Sequence, residues 1–197
     1  MLYMNNVNYI VMDIETCPLK INDKYFKKTD EEKLQLLNPI DSRVVAIGVR
    51  YQGINKIIRY DSEKQMLEEF WKFWRDIKHG KPLVPLVGFN ITPFDIPFIV
   101  TRSFILNVKI EPFSLKEVLD LREKIHAYKY GKTRGKLKEF AALLGQEILD
   151  VNGGDVAQMC VDKNYKLLSK YLEKDLEITD ALYKRAIETN IIRISRY

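Results

Sequence analysis

Two rhythms of apolar residues run along the chain. Short apolar runs crowded toward the front read as strands, and stretches with a period of three to four residues read as helices. VNYIVMDIE is a buried strand, RVVAIGVRYQG a second and INKIIRY a third, and Gln52-Gly53 between the last two is a turn signal that predicts a hairpin. PLVPLVGF is a fourth strand, with Pro82 and Pro85 restricting pairing near its start, and EVLDL is a short fifth. In SEKQMLEEFWKFWRDIKHG, apolar Met66, Leu67, Phe70, Trp74 and Ile77 keep helical spacing between a Ser62–Gln65 capping box and a closing Gly80, so this helix should cover one sheet face. Helices are also predicted over DIPFIVTRSFILN, over KLKEFAALLG up to Gly145, over DVAQMCVDK after a Gly153-Gly154 turn, and over YKLLSKYLEKDLEITDALYKRAIE, the longest. Between the first two strands, residues 18–41 form an insertion in which Thr29, Glu32 and Pro39 mark a short helix. Strands at the front with helices between and after them predict an α/β layered fold on a mixed sheet.

Length and composition add few constraints. The 197 residues, 46% of them hydrophobic, fit one domain spanning 1–197 with a sizeable core. No cationic segment leads into an apolar stretch at the N-terminus and no 18-residue apolar run occurs, so a soluble, cytoplasmic protein with no membrane partner is expected. Cys17 and Cys160 have neither metal-ligand spacing nor a disulfide framework and read as free thiols. Charge matters through its placement. The chain carries a formal +5, and between Leu121 and Lys138 seven Lys or Arg face a single acid, Glu123. With Tyr128 and Tyr130 interleaved and Gly131 and Gly135 loosening the backbone, this basic loop at about 122–138 reads either as a solvated surface or as a phosphate-contacting arm.

The candidate chemistry lies in the acids. Asp13 and Glu15 stand two apart where the first strand emerges, so their carboxylates project to one side and repel unless a cation lies between them. Oxygen ligands without a His or Cys cluster select Mg²⁺ or Mn²⁺. More carboxylates must reach the same edge of the sheet. Asp95, after the fourth strand at a helix start, reads either as a cap or as such a ligand. In the last helix Tyr171 and Asp175 lie four residues apart, one turn from each other at the margin of the Leu168, Leu172, Leu176 stripe.

Together, DIET at the first strand, N-x-x-x-F-D in GFNITPFDIPF and Y-x-x-x-D in YLEKDLEIT resemble, in order, the three motifs of the DEDD 3′-5′ exonuclease superfamily in its tyrosine-bearing subgroup (DEDDy). The chain is similar to the exonuclease domain of family B DNA polymerases and to its stand-alone relatives from about Tyr9 to Arg185. The resemblance implies a ribonuclease H-like fold, three layers with a mixed five-stranded sheet flanked by helices. It implies that Asp13, Glu15, Asp95 and Asp175 bind two Mg²⁺ or Mn²⁺ ions and that Tyr171, a neutral phenol at pH 7, orients the attacking water. The expected reaction releases nucleoside 5′-monophosphates from 3′ ends, with single-stranded DNA as the first-choice substrate and nucleic acid as the partner. By the same resemblance Asn90 and Phe94 approach the terminal nucleotide, although Phe94 reads equally as core. The backbone at Ile14 and Thr16 is placed to meet the terminal sugar, and Lys132, Arg134 and Lys136 are candidates for the phosphate backbone. Asp120 reads as structural. The alternatives are an RNA-trimming exonuclease and a non-catalytic nucleic-acid-binding subunit on the same fold.

Overall fold

In the computed structural model, which describes residues 8–79, 81, 84–131 and 133–195, five strands share one sheet. Val7, Gly80, Pro82 and Lys132, named above, lie outside the described residues. The strands are β1 (Ile10–Pro18), β2 (Ser42–Tyr51), β3 (Ile54–Ile58), β4 (Leu86–Gly88) and β5 (Val118–Asp120), in the order β3-β2-β1-β4-β5. β2 runs antiparallel to β1 and β3, while β4 runs parallel to β1 and β5 to β4, so the sheet is mixed. The β2–β3 hairpin turns at Gln52 and Gly53, whose φ values of 51° and 81° are the two left-handed positions of a type I′ turn.

The helices are α1 (Asp23–Phe26), α2 (Asp30–Gln35), α3 (Glu63–Lys78), α4 (Asp95–Ile105), α5 (Leu121–Ile125), α6 (Leu137–Leu143), α7 (Val156–Val161) and α8 (Tyr165–Glu188). α1 and α5 differ from the sequence reading. α1 is a single turn inside the insertion, held by Asn22 Oδ1 accepting the N–H groups of Lys24 and Tyr25, and four residues carry no periodicity to detect. α5 occupies the start of the stretch expected as a basic loop, because Asp120 caps it by accepting the N–H groups of Arg122 and Glu123.

Alternation along β1 divides its side chains between two cores. Ile10, Met12 and Ile14 enter a core with α3 and α4 that holds Phe70, Trp71, Trp74 and Phe98. The opposite face meets α7 and α8 through Cys17, Ala46, Leu168 and Leu172, and farther along through Val87, Ile178 and Leu182. The result is helix, sheet, helix in three layers. Inside the first core layer Arg102 forks onto Glu63 with bonds of 2.9 and 2.6 Å, while Glu63 also accepts the Val44 N–H and Arg102 reaches the carbonyl of Pro39. This buried pair joins α3, α4, β2 and the end of the insertion, and its polar atoms are all engaged with protein partners as burial demands.

Gly48 controls how near α8 comes to the sheet. A Cβ at this position would lie 2.8 Å from Leu172 Cγ and 2.9 Å from Leu176 Cδ1. Gly48 is also the register partner of Asp13 on β1. The missing side chain therefore lets the last helix settle directly over the strand pair that carries the acids. Gly48→Ala is expected to destabilise the fold by about 1–3 kcal/mol through overpacking, read by denaturant unfolding. Gly48→Val should cost more and lift α8 from β1.

Candidate active site

Because Asp13 and Glu15 alternate with core-facing Met12 and Ile14, both turn toward α8. A bulge sits beside them. Glu15 pairs with Ala46 but Thr16 pairs with Val44, which leaves Val45 of β2 unmatched and bends the strands where the acids emerge. On α8, Tyr171 and Asp175 lie one turn apart facing the sheet, both buried. Ligand oxygens of Asp13, Glu15 and Asp175 lie within 4.8 Å of one another. Asp95 arrives from the other layer. β4 pairs only with Ile10 and Val11, so the edge of β1 beyond them is open, and the Asp95 carboxylate fills it by accepting the Ile14 N–H at 3.0 Å. Asp95 and Asp13 are close enough to act on each other's ionisation. The four carboxylates thus converge from three distant segments.

This cluster is electrostatically uncompensated. Burial, then the charge of Asp175, pushes the Asp13 carboxyl up to about 8. Burial followed by the charges of Asp13, Asp175 and Asp95 holds Glu15 well above the usual carboxylate range, and burial plus Asp13 does the same to Asp95. Burial raises Asp175 to about 6 against the lowering effects of the Tyr171 hydroxyl and the Lys138 charge. Its Oδ1 is buried without a hydrogen-bond partner among the described residues. An orphaned anionic oxygen beside two further carboxylates fits a cation, and an all-oxygen donor set fits a hard divalent one. Burial and the surrounding carboxylates raise the Tyr171 phenol far above its ordinary value, so it stays neutral at every physiological pH.

Lys138, at the start of α6, is a site residue that the sequence reading passed over. Its Nζ lies 4.8 Å from the centroid of the Tyr171 ring and donates to the Leu149 carbonyl at 3.0 Å, which puts a half-buried cation beside Tyr171 and Asp175. In the sequence it was one of seven cations in a basic run, with no spacing signal to set it apart.

The remaining candidates fall into different surroundings. The Ile14 side chain is core and its N–H is taken by Asp95, so only its carbonyl is left for a ligand, while Thr16 is buried on β1 nearby. Phe94 packs against the core and against the Phe98 ring at 5.5 Å, the core reading of that residue. Asn90 takes left-handed backbone (φ 65°) and accepts a bond from Arg122 at 3.0 Å. Arg134 and Lys136 are exposed on the segment that leads into α6. Asp120 does structural work, its two oxygens accepting N–H groups from Asn90, Thr92, Arg122 and Glu123. Cys17 and Cys160 are free, and the bond from Cys160 together with burial pushes the Cys17 thiol far up, which leaves it no nucleophilic character.

Comparison with known proteins agrees with this architecture. The profile of the DNA polymerase family B exonuclease domain matches residues 10–139, which include Asp13, Glu15 and Asp95 and stop short of Tyr171 and Asp175. An uncharacterized protein of Methanocaldococcus jannaschii is 29% identical over 167 residues, 79% of this chain and 92% of that protein. The family B DNA polymerase of the hyperthermophilic archaeon Pyrobaculum calidifontis superposes with a TM-score of 0.70 at 18% identity, over 95% of this chain and 25% of the polymerase. The chain therefore spans a quarter of that polymerase and shares its fold across nearly its own whole length, the ribonuclease H-like arrangement of a mixed five-stranded sheet between helices. From the strand order, the convergent carboxylates and the profile match, the chain belongs to the family of DNA polymerase family B exonuclease domains.

Proposed function

We propose that this protein is a stand-alone, metal-dependent 3′-5′ exonuclease that removes nucleoside 5′-monophosphates from single-stranded DNA. The observation that carries the reading is the convergence of Asp13, Glu15 and Asp175 within 4.8 Å, with Asp95 bonded to the backbone between the first two. The similarity of this chain to 92% of the M. jannaschii protein supports the stand-alone part of the reading.

Asp13, Glu15, Asp95 and Asp175 would hold two Mg²⁺ or Mn²⁺ ions, which when bound supply neutralisation of phosphate charge and an acidified water. The protein's own groups do the rest. Tyr171, kept neutral by its surroundings, can donate one hydrogen bond and accept another, which suits it to orient a water for in-line attack and not to remove its proton. Lys138 adds a fixed positive charge beside Tyr171 that keeps Asp175 ionised and attracts a phosphate. Asp95, by occupying the open edge of β1, locks the strand so that Asp13 and Glu15 keep their spacing. Arg134 and Lys136, exposed at the approach, would draw in the phosphate backbone without reading sequence.

The direct test is digestion of end-labelled single-stranded DNA, duplex DNA and RNA with Mg²⁺, Mn²⁺ or chelator. Release of mononucleotides from the 3′ end of single-stranded DNA only with metal is expected, while metal-independent release or none at all would refute the reading. Asp13→Ala should lower that rate on the order of a thousandfold, the value of several kcal/mol of charge stabilisation. Tyr171→Phe should slow turnover about tenfold to a hundredfold while leaving metal binding intact.

Stability gives an independent readout. The unfolded carboxylates titrate near ~4, whereas in the folded protein Asp13 titrates at about 8 and Asp175 at about 6. Between these values the metal-free native state holds more protons than the unfolded chain, so its stability falls as pH rises across that window. Thermal melting in chelator should therefore show a lower Tm at pH 8 than at pH 5.5. Mn²⁺ should raise Tm more at the higher pH, and Asp13→Asn should reduce both effects.

A further inference from the structure

On the same edge of the sheet as the acids, beyond β4 and β5, lies a second concavity. Its volume of about 540 Å³ falls within the range of sites that enclose a small ligand. Asn90, Arg122, His126, Lys129, Tyr130 and Thr133 are among the residues that line it. The sequence presented this region as a charge run with loosened backbone, but the walls are tied. Arg122 donates to Asn90 Oδ1 at 3.0 Å and to the Thr133 carbonyl at 2.8 Å. The His126 ring bridges the carbonyls of Arg122 and Arg134 at 2.8 and 2.9 Å. Ala127 and Tyr128 both adopt left-handed backbone, φ 50° and 56°, so the chain reverses sharply after α5 and closes on itself. At the rim stands Tyr130, 97% exposed, next to the exposed Lys129.

An aromatic ring almost wholly in water has no packing role in the fold. Beside an exposed cation on a pinned loop, it is arranged as a platform on which a base can stack while the neighbour meets a phosphate. Location narrows the ligand further. β1, β4 and β5 are parallel and end at this edge, and β5, which leads into the pocket wall, stands two strand spacings, about 10 Å, from β1, which carries Asp13 and Glu15. One nucleic-acid strand can touch both places, and the scissile phosphate cannot occupy both.

We infer that this pocket is a subsite for single-stranded nucleic acid, stacking the base of a nucleotide upstream of the terminal one on Tyr130 and meeting its phosphate with Lys129. The direction of the strand rests on the exonuclease reading; the binding itself does not. It also divides the basic run by task, since Arg122 and His126 build the wall and Lys129 and Tyr130 face the strand.

The test is the affinity of a fluorescein-labelled oligothymidylate, measured by anisotropy in EDTA so that cleavage does not contribute. Tyr130→Ala should weaken binding about tenfold, and Tyr130→Phe and Tyr130→Trp should restore it. Lys129→Ala should lower the salt slope by about one. In a series of oligonucleotides with a single abasic residue walked back from the 3′ end, the wild type should lose affinity at one interior position, and Tyr130→Ala should erase that position dependence. Unchanged affinity in Tyr130→Ala, or an abasic penalty that survives in this variant, overturns the subsite. Circular dichroism melting of each variant separates lost contact from lost fold. Tyr130-dependent binding by a protein that releases no nucleotides would leave the subsite standing and remove the nuclease reading; normal cleavage with Tyr130-independent binding would do the reverse.

Discussion

Mutual repulsion among buried carboxylates is the constraint around which this molecule is arranged. Three acids whose oxygens lie within 4.8 Å, with a fourth bonded between two of them, are costly to hold inside a protein. Burial raises all four toward the neutral form, the neighbouring acids add to this for Asp13, Glu15 and Asp95, and one oxygen of Asp175 has no hydrogen-bond partner among the described residues. Such an arrangement is stable as a set of anions only around positive charge, and among the described residues Lys138, placed against Tyr171, is the cation whose charge lowers Asp175. The acids emerge from a sheet whose two faces carry apolar cores against the flanking helices.

The surrounding structure serves that convergence. Alternation along β1 sends the acids to one face and anchors the strand through the other. Gly48 removes the side chain that would hold α8 away, and the bulge at Val45 bends the strand pair directly after Glu15. β4 stops early, and Asp95 uses the edge so exposed. None of these features except Asp95 adds a carboxylate, yet the cluster's spacing depends on all of them.

Much of this was legible from residue order. Period-two and helical patterns located the five strands and the longer helices, because burial on one face or both leaves that trace in composition. The acids stood out through their spacing, and the same-side placement of Asp13 and Glu15 follows from strand geometry alone. What escaped had no local signature. α1 is a single turn and α5 is created by an aspartate cap inside a charged run. Lys138 acquires its place only when α6 packs against α8, and Gly48 reads as an ordinary strand glycine until a helix is seen to lie on it. The basic stretch read as a loosened arm, but backbone acceptors at Thr133 and Arg134 tie it into a closed loop, and contacts between side chains and distant carbonyls leave no pattern in sequence.

The central claim is that divalent cations replace protons at this cluster. Calorimetric titration of Mn²⁺ into the metal-free protein near pH 6.5, repeated in buffers of different ionisation enthalpy, reads both events together. The account predicts saturable binding with net proton release, both lost in Asp175→Ala. Binding without proton release, or unaltered binding in that variant, would contradict it.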